Sequence, residues 1–307
     1  MSAVPHIFTL TGNLLAERTL DFDTWGSGQT QRAVRETFQV GGKGINVSKM
    51  LTRLGAANTA LCFAGGFTGA ECEAWLRAKN FAVRAFASAA PTRTGTVVRG
   101  RGHAETTFLA PDAAPDAAAV RACADFLNEQ PGGVLALCGS LPGWDSPDFD
   151  VLRAAIHRWP ERGALIVDTY GPPLAWLANE AAALVRVNRT ELTTLFPPAE
   201  KKKSASELLR GSRDRFRVRR WVVSDSGAPV WFMDEHKDPE PIDPPVVKQV
   251  SATGSGDVML ACMLHARYER HLSWRDAVAW SLPYAAANAA HPGIAEFPMP
   301  KFGTDQA

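Results

Sequence analysis

The sequence reads ALIVDT at residues 164–169, ALVRVN at 183–188 and WVVSDS at 221–226, three short apolar stretches that each end in polar residues. Apolar residues recur at helical spacing between them, near 173–182 and 189–196. Continuous runs rich in Val, Leu and Ile are typical of strands buried on both faces of a parallel sheet. Strands that alternate with helices indicate β-α-β units, so this part of the chain predicts an α/β fold.

The same alternation continues toward both ends of the chain. Further apolar runs, IFTL, TALCFAG and VLALCGS, predict strands at residues 7–10, 59–65 and 134–140. Helices are predicted near residues 45–54, 70–79 and 147–159, and two more near the carboxyl terminus. The central sheet is therefore expected to be mainly parallel.

Two segments break this alternation, at residues 17–40 and 94–109. Both are rich in Thr, Val and Phe with alternating polar positions, and glycine turns rather than helices separate their runs. They predict a small antiparallel sheet inserted into the α/β body, either as a lid over a cleft or as a contact between subunits. Because no internal repeat and no linker is found, residues 1–307 are expected to form one domain.

Composition limits the classes of function. The 307 residues are 46% hydrophobic and 21% charged, which excludes a disordered, collagen-like or coiled-coil chain. Lys and Arg number 33 against 32 Asp and Glu, so the formal charge of +1 provides no overall field for nucleic acid or an anionic membrane. Neither is an expected partner, and the basic stretches at 201–203 and 213–220 are interpreted as solvated surface, with a phosphate or nucleic-acid role as the alternative.

Cysteine usage and the amino-terminal sequence indicate a compartment. The five cysteines are far apart and contain no Cys-x-x-Cys pair, so neither a disulfide framework nor a zinc site is indicated. The first residues have no basic region followed by an apolar stretch and a small-residue cleavage site. We therefore expect a cytoplasmic protein with reduced, mostly buried thiols.

The strongest local motif is SATGSGD at residues 251–257, which precedes an apolar helical pattern. Gly254, Ser255 and Gly256 allow a tight turn that exposes backbone N–H groups. The helix predicted to begin at Asp257 adds the positive end of its dipole, which makes an anion hole and favours an ionised Asp257 that can accept a proton. The motif also fits a plain turn in which Asp257 is the helix N-cap.

A second glycine motif, VGGKGINV, occupies residues 40–47 and opens an amphipathic helix pattern. Gly42 permits a close approach of the backbone to a ligand. Lys43 is placed to meet an anion, and Asn46 to hydrogen-bond hydroxyls. The motif is not a Walker A loop, since Gly44 rather than Ser or Thr follows Lys43.

Two further motifs are weaker. AGGFTG at 64–69 is similar to a dinucleotide fingerprint, but the acid expected after the next strand is missing, which argues against NAD binding. Asn188 and Glu191 have the spacing of a helix capping box, with contact to a metal or a nucleotide phosphate as the alternative. Two glycine loops, one with Lys43 and one with Asp257, predict two anions that face each other, as phosphoryl transfer requires.

Eight motifs, in order, resemble those of the ribokinase-like sugar kinases of the phosphofructokinase B type, most closely the branch with 1-phosphofructokinase and tagatose-6-phosphate kinase. They extend over nearly the whole chain: NLLAERTL (13–20), GGKGINV (41–47), GGFTG (65–69), TRT (92–94), GSLPG (139–143), VDT (167–169), NRTEL (188–192) and ATGSGD (252–257). The resemblance implies a three-layer α/β/α fold with a small β-sheet lid that is often used to form a homodimer. It also implies a kinase that uses ATP and Mg²⁺.

The resemblance implies roles for individual residues. Asp257 would take the proton from the attacking sugar hydroxyl, and residues 254–256 would form the anion hole. The sugar site would comprise Glu17, Gly42, Lys43, Asn46 and Arg93, with Lys43 and Arg93 toward a phosphate already on the substrate. The nucleotide would contact Asn188, Ser224, Ser226, Gly227 and Asn288, and Glu191 would act near Mg²⁺, through water.

The chain departs from the family pattern at several positions: Glu17 replaces Asp, Val187 replaces Pro, Ser226 replaces Gly, and residues 108–111 lack the usual acidic and glycine residues. The substrate implied is a phosphorylated ketohexose: fructose 1-phosphate, fructose 6-phosphate or tagatose 6-phosphate. The alternatives are a kinase of an unphosphorylated sugar or nucleoside, and a non-catalytic protein that binds a sugar phosphate or a nucleotide.

Overall fold

Strands and helices alternate along most of the chain. The computed structural model describes residues 4–225 and 227–300. Its strands are β1 (Ile7–Thr11), β2 (Leu15–Phe22), β3 (Arg35–Gly41), β4 (Asn58–Gly65), β5 (Val83–Ser88), β6 (Arg93–Gly100), β7 (Thr106–Leu109), β8 (Gly133–Cys138), β9 (Gly163–Asp168), β10 (Leu184–Asn188), β11 (Arg220–Ser224), β12 (Val230–Asp234) and β13 (Glu240–Ile242). Its α-helices are α1 (Lys43–Arg53), α2 (Gly66–Ala78), α3 (Ala117–Glu129), α4 (Asp150–Arg158), α5 (Pro172–Leu177), α6 (Arg189–Thr193), α7 (Ala205–Ser212), α8 (Ser255–Tyr268) and α9 (Trp274–Ala289).

The central sheet has the strand order β13-β12-β11-β10-β9-β8-β1-β4-β5. All pairs from β11 to β5 are parallel, whereas β12 and β13 add in antiparallel fashion at one edge. The α/β prediction with a mainly parallel sheet is confirmed. The sheet continues on both sides of β1, with β4 and β5 on one side and β8 to β13 on the other. At such a switch point the connections leave in opposite directions, which leaves a crevice at the carboxyl ends of the strands where ligands bind.

Helices cover both faces of this sheet. Leu135 and Leu137 of β8 pack in one apolar cluster with α3 to α7, whereas Val134 and Ala136 of the same strand pack in another with α1, α8 and α9. Successive side chains of a strand point to opposite faces, so a strand buried on both sides is apolar throughout. The three-layer arrangement that the resemblance implied is therefore present.

A second sheet, in the order β3-β2-β6-β7, forms the lid. The outer pairs β2–β3 and β6–β7 are antiparallel, but the central pair β2–β6 is parallel. The prediction of an antiparallel lid is therefore wrong at its centre. The reason is the connection: β6 follows β2 only after a crossover through β3, α1, β4, α2 and β5, which returns the chain in the same direction.

Several element boundaries differ from the predictions. The helices predicted for 173–182 and 189–196 are shorter, as α5 ends at Leu177 and α6 at Thr193. The last glycine motif opens its helix at Ser255 rather than Asp257, because Gly254 adopts a left-handed conformation with φ 74° and is the N-cap. Helices α3 and α7 are not among the predicted elements. All five cysteines are buried free thiols, as predicted.

Of the helices in residues 4–225 and 227–300, none combines the length and the apolar character needed to cross a membrane.

Candidate active site

A cleft of about 750 Å³ separates the lid from the carboxyl ends of the central strands. It brings together residues of five sequence motifs that are far apart in the chain. The predicted site residues that line it are Glu17, Gly42, Lys43, Asn46, Arg93, Asn188, Glu191, Gly254, Gly256 and Asp257.

Asp257 lies in the first turn of α8 and is only 5% exposed. Its Oδ2 accepts a hydrogen bond from Nδ2 of Asn46, in the first turn of α1, at 2.7 Å. Both helices pack on the same face of the sheet, which places their amino termini side by side. The two glycine motifs therefore do face each other at the cleft.

The pKa of Asp257 is raised from its ordinary value to about 7. Burial is the largest cause, and the Asp168 carboxylate adds to it, whereas Lys43 and the hydrogen bond from Asn46 lower the pKa. The expectation that the surroundings of Asp257 favour its ionised form is therefore wrong in its net direction, because burial and the Asp168 carboxylate outweigh Lys43, Asn46 and Arg186. A carboxyl group with a pKa near neutrality is suited to accept a proton at physiological pH.

Lys43 meets carboxylates of the protein itself. Its Nζ lies 2.9 Å from Oδ1 of Asp168, at the end of β9, and 3.4 Å from Oε1 of Glu191. Burial opposes the charge of Lys43, but Asp168 and Glu191 outweigh it and raise the pKa of the lysine. Burial likewise opposes the charge of Asp168, but Lys43 and Arg186 outweigh it and lower the pKa of that carboxyl group.

Arg186 is a buried cation that is not among the predicted site residues. It is 7% exposed, and its Nη1 and Nη2 lie 3.3 Å from Oδ2 of Asp168 and 3.1 Å from Oγ of Ser224. A Cβ at Gly256 would lie 2.3 Å from the guanidinium nitrogens, so the glycine lets Arg186 approach the start of α8. A charged residue within the apolar run ALVRVN is the sequence signal that could have found it, since unpaired charges are rarely buried.

A second cavity, of about 450 Å³, opens beside Gly256 toward α9. Its walls are largely apolar, and its inner end is the amino terminus of α8, where backbone N–H groups favour an anion. This is the form expected of a nucleotide site. The lining residues include Arg186, Ser224, Gly227, Ser255, Gly256, Ala285, Ala286, Ala289 and residues 244–247. Ser226, predicted to contact the nucleotide, lies outside the described residues.

Asn188 and Glu191 form a capping box at the start of α6. The side chain of Asn188 accepts from the N–H of Glu191 at 2.8 Å, and the Glu191 carboxylate accepts from the N–H of Asn188 at 2.8 Å. Both residues also line the cleft, and Glu191 contacts Lys43. The cap and a contact with a ligand are therefore compatible.

Asn288 holds the SATGSGD loop in place. Its Nδ2 donates to the Thr253 carbonyl at 3.0 Å and to Oγ of Ser255 at 3.1 Å, and its Oδ1 accepts from the N–H of Ala295 at 2.8 Å. The side chain is 1% exposed, and it does not line the second cavity. This corrects the expectation of a direct contact with a nucleotide, because both the nitrogen and the oxygen of the Asn288 amide already have hydrogen-bond partners within the protein.

The lid contributes Glu17 and Arg93 to the cleft. Glu17 on β2 accepts a hydrogen bond from Gln39 on β3, and burial raises the pKa of its carboxyl group. Arg93 begins β6 and pairs with Asp112, its Nη1 lying 2.9 Å from Oδ1. Asp112 is not among the predicted site residues, because the family pattern places the acid at 108–111 and this carboxylate lies one residue further on.

Within residues 4–225 and 227–300, no three His, Cys, Asp or Glu side chains converge closely enough to hold a metal ion by themselves. Asp168 and Glu191 do converge, on either side of the Lys43 ammonium group. The site as a whole can hold two anions, one in the cleft and one at the amino terminus of α8, and Asp257 can accept a proton between them.

Comparison with known proteins identifies the family of the chain. The profile of pfkB family carbohydrate kinases matches residues 12–301. The chain is 30% identical over 268 residues to ATP-dependent 6-phosphofructokinase isozyme 2 of Escherichia coli strain K12, covering 84% of each. It is 25% identical to 1-phosphofructokinase of Borreliella burgdorferi, covering 95% of this chain and 94% of that protein. The crystal structure of Escherichia coli phosphofructokinase-2 in complex with potassium matches with a TM-score of 0.84 at 24% identity, over 94% of each chain. The chain therefore belongs to the pfkB family of carbohydrate kinases.

Proposed function

We propose that this carbohydrate kinase transfers the γ-phosphoryl group of ATP to a hydroxyl of a phosphorylated ketohexose, namely fructose 1-phosphate, fructose 6-phosphate or tagatose 6-phosphate. One observation carries the proposal: the buried Asp257, whose pKa is raised to about 7, lines the cleft directly beside Gly256, and Gly256 and Arg186 line both the cleft and the second cavity. The names of the relatives, 6-phosphofructokinase isozyme 2 and 1-phosphofructokinase, support a phosphorylated hexose as the acceptor.

Asp257 would act as the general base. As the hydroxyl oxygen of the sugar attacks the γ-phosphorus of ATP, the proton passes to Asp257, the bond to the β–γ bridging oxygen breaks, and ADP leaves. Asn46 orients the carboxylate through its hydrogen bond to Oδ2. The N–H groups at the start of α8 face the charge that develops on the transferring group, which stabilises it.

The second cavity would hold the nucleotide. Its apolar walls suit an adenine ring, and its inner end presents the terminus of α8 together with the Arg186 guanidinium. The Nε of Arg186 is buried without a hydrogen-bond partner among the described residues, so a phosphate oxygen would satisfy it. Ser224, Ser226 and Gly227 remain the proposed polar contacts, and Asn188, which lines the cleft rather than this cavity, would reach the nucleotide from the cleft.

The kinases of this family use ATP with Mg²⁺, and the residues present fit that ion. Mg²⁺ is usually bound by one or two carboxylates together with substrate phosphates and waters. Glu191 lines the cleft and would hold the ion through a water, whereas Asp168 is 1% exposed, lines neither cavity and is paired with Lys43 and Arg186. When bound, the ion neutralises charge on the phosphates.

The lid would recognise the sugar. Glu17 offers a carboxylate to hydroxyl groups, and Arg93 and Lys43 are the cations of the cleft proposed to bind a phosphate on the substrate. Lys43 is engaged by two carboxylates, those of Asp168 and Glu191, and Arg93 by one, that of Asp112, so Arg93 is proposed as the main contact for that phosphate.

A homodimer formed through the lid is part of the proposal. Val34, Phe108 and Leu109 at the lid are more than half exposed, at 65%, 57% and 54%, and a second copy would cover them. One structure of the related Escherichia coli phosphofructokinase-2, with a TM-score of 0.82, is described as a tetrameric inhibited form. Light scattering of the wild type and of Phe108→Ser tests the dimer, and a monomeric wild type would refute it. The cytoplasmic location stays a prediction.

The test of the function is ATP consumption against fructose 1-phosphate, fructose 6-phosphate, tagatose 6-phosphate, fructose, ribose and adenosine, with Mg²⁺ and then with a chelator. Turnover of a phosphorylated ketohexose that stops with the chelator is expected. Asp257→Asn should lower kcat by roughly 10²-fold or more while binding persists. Asp125→Asn, on the exposed side of α3, is the matched control. Turnover of only fructose, ribose or adenosine, or equal rates in wild type and Asp257→Asn, would refute the proposal.

A further inference from the structure

Asp112 places a carboxylate directly on Arg93, the arginine proposed to bind a phosphate of the substrate. Its Oδ1 accepts from Nη1 of Arg93 at 2.9 Å and from Nδ2 of Asn13 at 2.8 Å. The same Nδ2 also lies 3.0 Å from Oγ of Ser140. Asp112 belongs to the connection between the last lid strand, β7, and α3, so it joins the lid to the edge of the central sheet.

Arg93, Asn13 and Ser140 border a small cavity of about 70 Å³ at the switch point beside β1, and Asp112 contacts two of them, Arg93 and Asn13. Thr11, Asn13, Lys43, Arg93 and Ser140 are among its lining residues. Within the described part of the chain, Oγ1 of Thr11, Oδ1 of Asn13 and Nε of Arg93 are buried without a hydrogen-bond partner. Buried polar atoms are normally satisfied, so these atoms mark a place where a polar group of a ligand fits.

The Asp112 carboxylate opposes an anionic ligand at this place. A phosphate that reaches Arg93 must either displace Asp112 or share the guanidinium with it, and in both cases the two negative charges repel each other. The side chain of Asp112 is 56% exposed, so solvent screens the repulsion and its effect on affinity is modest. A neutral hydroxymethyl group at the same position meets no such repulsion.

We propose that Asp112 is a specificity-determining residue, which weakens the preference of the cleft for a phosphorylated over an unphosphorylated ketose by competing for Arg93. This inference rests on the proposed function, because it takes a ketose as the occupant of the cleft. Asp112 thereby sets how far an anionic and a neutral acceptor are distinguished. The rest of the cleft supplies the affinity for the sugar that both acceptors share.

Calorimetric titration of the full chain without ATP tests this inference. The ligands are fructose 1-phosphate, fructose 6-phosphate, fructose and inorganic phosphate, and the variants are Asp112→Asn, Asp125→Asn and Arg93→Gln. An asparagine keeps acceptors for Arg93 and Asn13 while it removes the charge, so Asp112→Asn is expected to fold. It should bind at least one phosphorylated sugar about three- to tenfold more tightly, with fructose unchanged within about twofold. Asp125→Asn should match the wild type.

A double-mutant cycle isolates the pair. In the Arg93→Gln background, Asp112→Asn should no longer change the affinity for phosphorylated sugars, because the guanidinium for which Asp112 competes is gone. Unchanged or weaker binding of every phosphorylated sugar by Asp112→Asn, or no binding to either protein, would overturn the inference. If the wild type turns over no phosphorylated sugar while Asp112→Asn still tightens their binding, the proposed function fails and the inference stands.

Discussion

Asn46 and Asp257 are 211 positions apart in the sequence, and Nδ2 of Asn46 lies 2.7 Å from Oδ2 of Asp257. The hydrogen bond joins the two glycine motifs at the amino termini of α1 and α8. It has an electrostatic consequence, because a donor to the ionised carboxylate lowers the pKa that burial and Asp168 raise. Asn46 therefore both orients the proposed base and keeps its pKa within the physiological range.

Removal of this donor should shift the pH dependence of catalysis. In Asn46→Ala the pKa of Asp257 loses a lowering contribution, so the acidic limb of the kcat profile should move to higher pH by about half a unit to one unit. Activity at pH 7 falls, and part of it returns at pH 8.5. The pH–rate profile is the measurement, with Asn128→Ala on the exposed face of α3 as the control. A profile that drops at all pH values without a shift would contradict the electrostatic role.

The raised pKa of Asp257 also makes a prediction about stability. Because the pKa is about 7 in the folded chain against an ordinary 3.8, the folded protein binds more protons than the unfolded chain between these values. Asp257 therefore makes the free energy of unfolding fall as pH rises through this window, and the loss is complete above pH 7. Asparagine does not ionise, so the variant Asp257→Asn does not lose this stability as pH rises. Urea unfolding should show Asp257→Asn gaining stability over the wild type from pH 5 to pH 8, and a constant difference would refute the assigned pKa.

Lys43 compensates three carboxyl groups at the cleft, and its loss should be costly. Lys43→Met keeps the length of the side chain but leaves the 1% exposed Asp168 with Arg186 as its remaining partner. We expect a loss of about 2 kcal/mol or more in the free energy of unfolding. The matched control is Lys49→Met on the same helix, whose partner Glu296 is half exposed, and it should cost less than about 1 kcal/mol. Equal losses in the two variants would show that burial of the ion pair does not increase its contribution to the free energy of unfolding.

Local sequence patterns predicted much of the fold. The apolar runs and the glycine motifs located the central strands and the helices α1 and α8, because burial on both faces and helix entry leave local signatures. The parallel pairing of β2 with β6 left none, since it depends on a crossover of several elements. Helix α3 was missed although it has a local signature, since its buried residues Ala119, Val120, Cys123, Ala124 and Leu127 recur at helical spacing.

The motifs of the proposed site were predictable from the sequence, but the ion pairs between their residues and the resulting pKa values were not. Gly42, Lys43 and Asp257 carry recognisable local patterns, and the structure brings them together. The pKa of Asp257 was not predictable, because its direction depends on how burial and Asp168 combine in space. Arg186 lies within the apolar strand β10 and Asp168 at the end of β9, and sequence alone does not show which charges pair.

The close approach of Gly256 to Arg186 gives the sharpest steric test. In Gly256→Ala the new methyl group would overlap the guanidinium, which lies 2.3 Å from the Cβ position and is held by Asp168 and Ser224. Arg186 must then leave both partners, so the KM for ATP should rise and kcat/KM should fall by about tenfold or more.

The control for this variant is Gly211→Ala, within α7. The nearest atom to its Cβ position is Cε1 of Phe196 at 3.6 Å, an ordinary contact. Alanine favours the helical conformation over glycine by up to about 1 kcal/mol, so this variant should keep full activity and equal or greater stability. Replacing Arg186 by the slimmer lysine should restore part of the activity lost in Gly256→Ala, because the cation then has room beside the methyl group. If Gly256→Ala alone retains wild-type kinetics, the guanidinium does not need its observed position, and Arg186 would have no part in holding the nucleotide.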